Sequence, residues 1–304
     1  MSNEKQKQTV QTTGHAWDGD LQEFNNPLPN WWLWGFYATV VFAIVYWVLF
    51  PAWPVGDNYT KGMLNEITYK KSDGTSVTTH WNTRALYLQE MQAAREMQAP
   101  FLKEIKQATF AEIARDEQKS AFAYSSAKVL FAENCAGCHQ TGGAGVIGMY
   151  PNLADDAWLW GGSFDDIQKT ILDGRKGTMP AFAKRLSETQ MEEIAEYVLS
   201  LSKHNVDSAK AGRGQAMFNG NAGCYSCHGK EGNGIKSMGS ANLTDGIWTV
   251  ANVPAQSDIS GRRHAVMDVI RKGISRDMPG WKERLGETEI KMLTFYVHEL
   301  GGGK

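Results

Sequence analysis

Polar residues fill positions 1–30, and from Trp31 to Phe50 the chain then carries no charge at all. About twenty consecutive apolar residues match the hydrocarbon thickness of a bilayer when coiled as one helix. Trp31, Trp32 and Trp34 at one end, with Trp47 and Trp53 at the other, stand where amphipathic rings favour the membrane–water boundary. Pro51 and Pro54 close the run. The pattern predicts a polar N-terminal segment over 1–30 and a single transmembrane helix over 31–53. No short apolar stretch with a small-residue cleavage site opens the chain, so a cleaved signal peptide is not expected.

Positions 54–119 turn polar again. Lys70-Lys71-Ser72-Asp73-Gly74 reads as a turn. Residues 83–98 and 101–120, rich in Ala, Glu, Gln and Lys, predict two helices separated by Pro100. His80, Met91 and Met97 are read as packing or surface residues, and the segment as a collar packing on a partner subunit.

Beyond residue 120 the apolar positions fall into a helical rhythm, and they do so twice. Met191, Ile194, Ala195, Val198 and Leu201 line one helix face, as do Ile290, Leu293, Val297 and Leu300. Ser187 and Gln190 form a capping box ahead of the first of these. The repetition extends to sequence. Asn152-Leu153 through Trp158 matches Asn242-Leu243 through Trp248, and Arg185-Leu186 matches Arg284-Leu285. This internal repeat divides the remainder into domains at 120–203 and 204–304, the second lengthened near Asn252–Arg263.

Each copy carries the motif Cys-x-x-Cys-His, as Cys135–Cys138–His139 and Cys224–Cys227–His228. That is the attachment pattern of a c-type haem: two thiols one helical turn apart add across the vinyl groups, and the adjacent imidazole faces the iron. The chain has four Cys in all, so none is left for a disulfide or a nucleophile. A zinc site could use two Cys pairs, but it would leave the repeated His and the repeated Met-Pro without a purpose. Met179-Pro180 and Met278-Pro279 recur in step with the motifs, which makes Met179 and Met278 the candidate distal ligands. Proline fixes the backbone that presents each sulfur, and Met opposite His raises the reduction potential. Met149 and Met238 also recur, ten residues after each His, and are read as pocket wall. Two covalently bound haems c are therefore expected, with His139, Met179, His228 and Met278 as axial ligands. Each Met serving the haem of its own repeat is the default for independent domains, and exchange of the Met loops between two packed repeats is the alternative.

Charge adds little to this picture. The formal net charge of −2 excludes a broad nucleic-acid footprint. Residues 121–203 carry 7 Lys and Arg against 10 Asp and Glu, and residues 204–304 carry 13 against 10. An acidic first copy fits a basic electron donor. Lys61, Lys70 and Lys71 follow the apolar helix while residues 11–30 lack Lys and Arg, which votes weakly against an outward C-terminus. Haem attachment occurs outside the energy-transducing membrane, and that chemistry outweighs the vote: N-terminus inside, haem domains outside.

The order of elements in each copy resembles the class I cytochrome c fold, so the expected fold is mainly α: one transmembrane helix, a helical connector and two tandem cytochrome c domains. His15-Ala16-Trp17-Asp18-Gly19 and Asn26-Pro-Leu-Pro-Asn-Trp-Trp32, with Pro51-Ala-Trp-Pro54, narrow the resemblance to the dihaem subunit (CcoP or FixP, subunit III) of cbb3-type cytochrome c oxidases. It covers essentially the whole chain. It implies an electron-transfer subunit in a bacterial inner membrane, with the haem domains in the periplasm. It implies as partners a soluble or membrane-bound cytochrome c donor, the monohaem cytochrome subunit, the catalytic haem–copper subunit and membrane lipid, and no nucleic acid. The oxygen-reducing, proton-pumping centre then lies in another chain. A freestanding anchored shuttle and a dihaem peroxidase are the alternatives; Met-Pro in both copies speaks against the open iron a peroxidase needs.

Overall fold

The computed structural model describes residues 11–63 and 66–301; residues 1–10 of the expected N-terminal segment and residues 302–304 lie outside the described residues. The chain divides into two compact units, residues 1–98 and 99–304.

In the first unit, β1 (Thr12–Trp17) and β2 (Leu21–Phe24) form an antiparallel hairpin. Asp18 and Gly19 turn it with φ of 51° and 88°, the left-handed geometry that an Asp-Gly pair tolerates. The predicted apolar helix is α1 (Asn30–Leu49), entered from Pro29 and burying none of its side chains. Among the described residues it is the one helix long and apolar enough to cross a membrane, with a mean hydropathy of 1.8. Two hairpins follow: β3 (Pro54–Val55) with β4 (Asn58–Tyr59), and β5 (Glu66–Lys70) with β6 (Ser76–His80). The predicted turn joins the second pair, where Asp73 accepts from both the backbone and the hydroxyl of Thr75. His80 is engaged by the Tyr59 hydroxyl at 2.9 Å.

The break expected at Pro100 does not occur, because α2 runs unbroken from Thr83 to Gln107. A proline inside a helix deletes one backbone bond, and the turns on either side can carry the axis through. The chain stops instead at Thr109, whose hydroxyl and backbone form a capping box with Glu112. There α3 (Phe110–Arg115) starts, and Asp116 caps α4 (Glu117–Asn134) by accepting from the amides of Gln118 and Lys119. Ile105, Ala108 and Ile113 enter a buried core of the second unit. The C-terminal end of the supposed collar thus packs on its own chain.

The rest of the second unit runs α5 (Ala136–His139), α6 (Phe164–Asp173), β7 (Arg175–Met179), α7 (Glu188–Leu201), α8 (Ser208–Phe218), α9 (Tyr225–His228), α10 (Ile259–Lys272), β8 (Ile274–Met278) and α11 (Glu287–Glu299). Oxygens of Ser163, Ser187, Asp207 and Asp258 cap α6, α7, α8 and α10. The mainly α expectation holds.

Two cores form, and each takes elements from both repeats. Phe131 of α4 and Ile167 and Ile171 of α6 pack with Ile290, Leu293 and Phe295 of α11. Phe218 of α8 and Val266 and Ile270 of α10 pack with Met191, Ile194 and Val198 of α7. The final helix of each repeat is exchanged. The crossing is made by β7 and β8, paired antiparallel from Arg175 opposite Met278 to Met179 opposite Ile274. Beyond it the backbone docks symmetrically: Trp281 N donates to Ile171 O at 2.9 Å, and Phe182 N to Ile270 O at 3.0 Å. Gly174 and Gly273 stand at the crossing with φ of 72° and 69°. A Cβ on Gly174 would lie 2.2 Å from the Met278 carbonyl oxygen, and one on Gly273 2.5 Å from that of Met179. Only glycine satisfies both the left-handed backbone and that approach.

Candidate functional site

Each Cys-x-x-Cys-His motif forms one helical turn. Cys135 ends α4, and His139 closes α5 with its amide bonded to the Cys135 carbonyl at 2.9 Å. Cys224 and His228 repeat this around α9, at 3.0 Å. The turn sets the two thiols and the imidazole on adjacent positions of a single short helix. A Gly-rich loop then folds back: Gly145 N donates to His139 O and Gly234 N to His228 O, both at 2.8 Å. This return brings the Pro151 carbonyl to 3.1 Å from Nδ1 of His139, and the Ala241 carbonyl to 3.0 Å from Nδ1 of His228.

Those two bonds determine the chemistry of the rings. A carbonyl can only accept, so Nδ1 carries the proton and Nε2 keeps its lone pair for a metal. Burial holds the pKa of both imidazoles below the usual value, against the smaller opposing pull of the carbonyl, so both are neutral. All four thiols are free. Burial, with Cys138 beside it, pushes Cys135 up to about 11, and burial raises Cys224 as well. Paired thiols, neutral imidazoles with Nε2 left to bind a metal and half-buried thioethers form a donor set that fits covalently attached haem.

The Met residues divide cleanly. Met179, at the end of β7, packs against the second core, the core against which Cys224 and Trp248 also pack. Met278 ends β8, and Trp281 and Leu285 just after it pack against the first core, the core against which Cys135 and Ala136 also pack. Met149 and Met238 are exposed. Cys138 is exposed and Cys227 half-buried. Sequence reasoning missed the Pro151 and Ala241 carbonyls. Their signal was faint, since each is a backbone atom, but both stand immediately before the repeated Asn-Leu.

Residues 9–57 match the family described as the N-terminal domain of cytochrome oxidase-cbb3, FixP. Residues 122–198 and 209–297 match the family described as cytochrome c oxidase, cbb3-type, subunit III, once for each repeat. The chain belongs to the cbb3-type cytochrome c oxidase subunit III family. It is 40% identical to the cbb3-type cytochrome c oxidase subunit FixP of Azorhizobium caulinodans, over 96% of this chain and 94% of the relative. Identity to the subunit CcoP of Azospirillum brasilense is 38% over 97% and 96% of the two chains, and to that of Cereibacter sphaeroides 36% over 96% and 95%.

The exchange of helices redraws the charge map of this subunit III chain. Outside the β7–β8 ladder, residues 121–174 with 280–301 carry 5 Lys and Arg against 10 Asp and Glu. Residues 180–273 carry 11 against 9. The body around His139 is therefore more acidic than the first repeat alone.

Proposed function

We propose that the chain is the electron-transfer subunit of a cbb3-type cytochrome c oxidase, with one haem c on Cys135, Cys138 and His139 and a second on Cys224, Cys227 and His228. The observation that carries this reading is the pair of neutral, carbonyl-anchored imidazoles, each behind two free thiols and each set in its own core. Haem c, when bound, supplies a one-electron iron couple. The chain's residues orient and tune that couple. The Pro151 and Ala241 carbonyls fix the rings with the proton on Nδ1, which would leave Nε2 to hold the iron, and the two cores would exclude water there, which favours the lower-charged ferrous state. Measuring haem per chain by alkaline pyridine spectra tests the count. Two are expected, and one would overturn it.

The distal ligands are exchanged with the helices: Met278 serves the haem of His139, and Met179 that of His228. Met179 and Cys224 pack against the same core, as do Trp281, Leu285 and Cys135 against the other, and this supports the pairing. A Cys135→Ala/Cys138→Ala variant retains only the second haem. There Met179→His should abolish the remaining Fe–S charge-transfer band and Met278→His should leave it. The reverse outcome returns the pairing to within each repeat.

Helix α1 anchors the chain in the bacterial inner membrane with its N-terminus in the cytoplasm and both haem bodies in the periplasm. Electrons arrive from a soluble or membrane-bound cytochrome c and leave for the monohaem cytochrome subunit, then for the haem–copper subunit where oxygen is reduced. Protease added to the periplasmic face should remove the haem bodies; cleavage only from the cytoplasmic face would overturn the orientation.

A further inference from the structure

The β7–β8 ladder has a dry side and a wet side. Arg175, Gly177 and Met179 of β7, with Ile274, Arg276 and Met278 of β8, form the half-buried face. Lys176, Thr178, Ser275 and Asp277 form the exposed one. On the exposed face Lys176 and Asp277 neutralise each other at 3.2 Å. The half-buried face carries two guanidinium groups, and among the described residues neither makes an ion pair. Arg175 donates from Nε to the Thr170 hydroxyl at 2.9 Å and lies over the Trp160 ring at 4.9 Å. Arg276 reaches only the Thr249 carbonyl, at 3.5 Å. Burial makes its charge less favourable than usual.

The register distributes these charges unequally. Met278 stands directly opposite Arg175, and Arg276 precedes it by two residues on the same face. Directly opposite residues in an antiparallel pair have Cα atoms about 5 Å apart, and alternate residues of one strand about 7 Å. Met179 stands opposite Ile274 and is preceded by Gly177. The repeat makes Ile274 the counterpart of Arg175, and Gly177 the counterpart of Arg276. Met278 thus has Arg175 directly across and Arg276 two residues before it, whereas Met179 has no charged residue at either of those positions.

We propose that Arg175 and Arg276 set the order of the two haem potentials, holding the haem ligated by Met278 above the one ligated by Met179. A positive charge near an iron favours the reduced state, which carries one positive charge fewer. At an effective dielectric of about 20, a unit charge about 10 Å away shifts the ferrous-to-ferric ratio by roughly tenfold. For a one-electron couple that is about 59 mV. The sign does not depend on whether the guanidinium groups stand free or pair with the carboxylates of the haem itself. In either case, removing them makes the surroundings of that iron more negative. The acidic exterior of the His139 body acts in the opposite direction, but through water and salt that screen it. A single electron shared by the subunit therefore resides mainly on the Met278 haem.

This inference rests on Met278 being a distal ligand, and the test separates the two. Redox titration of the haem-loaded full chain, purified in detergent, would follow both c haems in wild type, Arg276→Gln, Arg175→Gln and the double variant. One midpoint should fall by about 59 mV for each arginine lost, a tenfold shift, and the other should fall by less, least of all in Arg175→Gln. Arg276→Lys should restore it, which distinguishes charge from packing and serves where the Gln variant assembles poorly. Lys176→Gln, on the wet face of the same ladder, should move neither midpoint. Met278→His identifies the haem, because it should abolish half of the Fe–S band and displace the same midpoint that Arg276→Gln lowers. Unchanged midpoints in the double variant, or an equal shift in Lys176→Gln, would overturn the inference and leave the ligand reading intact. An undiminished Fe–S band in Met278→His would overturn both.

Discussion

The bodies around His139 and His228 share a backbone plan and differ in what joins their exchanged helices. Around His228, α7 meets α8 and α10 through charges. Glu196, fully buried, takes Arg263 Nε at 2.6 Å, and Glu192 takes Arg263 at 3.1 Å and Lys210 at 2.8 Å. Around His139 the same positions are aromatic. Phe295 and Phe164, the counterparts of Glu196 and Arg263, stack at 6.3 Å, and Phe164 continues the stack onto Phe110 at 4.4 Å and His298 at 3.8 Å. Lys291, the counterpart of Glu192, donates to the carbonyls of Ile105, Lys106 and Ala108 at 3.3, 3.0 and 2.6 Å. One seam is closed on itself by ion pairs; the other is stacked and recruits the end of α2. The comparison teaches that the exchange needs complementary faces but does not dictate their chemistry.

Breaking the ionic seam should cost the most. Arg263→Leu leaves the Glu196 carboxylate buried with only the Asp207 amide, at 3.3 Å, for company. Stripping one partner from a buried pair typically costs about 3–5 kcal/mol, whereas replacing both by apolar groups can be nearly neutral. Guanidinium denaturation of the full chain in detergent should show the loss in Arg263→Leu and most of it recovered in Arg263→Leu/Glu196→Leu. If the single variant loses less than about 1 kcal/mol, the pair does not hold α7 against α10.

The next largest effect tests how closely the helices approach. Gly214 of α8 faces α7, and a Cβ there would lie 2.0 Å from the Glu193 carbonyl oxygen and 2.6 Å from its carbon. In the His139 body the matching position is Ala127, which is completely buried against α11. Gly214→Ala should therefore destabilise the His228 body by about 1–3 kcal/mol through overpacking. Ala127→Gly should cost about 1 kcal/mol through helix propensity. Hydrogen exchange read separately in α7 and α11 distinguishes the two. Gly214→Ala should loosen α7 first and weaken the Fe–S band of the Met179 haem, since the strand before α7 presents that sulfur.

Much of this was legible from residues alone. The uncharged run from Trp31, the Ser187–Gln190 cap and the alternation of the final helices each depend on neighbours within a few residues, where sequence patterns are strongest. The Cys-x-x-Cys-His turns were legible because covalent haem attachment imposes a fixed spacing. The exchange was not, and the reason is symmetry. Two similar repeats offer the same partners within and between copies, so periodicity is blind to the choice. What decides it is a five-residue ladder and two glycines that accept the opposite Met-Pro carbonyls, contacts about a hundred residues apart. The counterparts Ile274 and Gly177 were likewise visible as departures from the repeat, but they acquired meaning only once the register put Arg175 opposite Met278. Pro100 misled because local preference was outweighed by the continuity of a 25-residue helix.

Acid should sharpen the comparison with the smallest effect. Glu188, Glu192 and Asp268 of the ionic seam are held below their usual carboxylate range, through bonds from Arg271, Lys210 and Lys272 respectively. A carboxylate whose pKa is depressed by folding stabilises the protein above its unfolded value, near 4. That contribution is lost as pH falls toward the lowered folded value. In the aromatic seam, the contact of Phe164 with Phe295 holds no ionisable group. Lowering the pH from 6 toward 3 should therefore raise hydrogen exchange at the contact of α7 with α10 before that of α6 with α11. These ion pairs are largely exposed, so the shift is modest and high salt should shrink it at pH 6. Equal acid sensitivity in both seams would mean that the surface pairs contribute nothing, and that the buried Glu196–Arg263 contact alone carries the ionic seam.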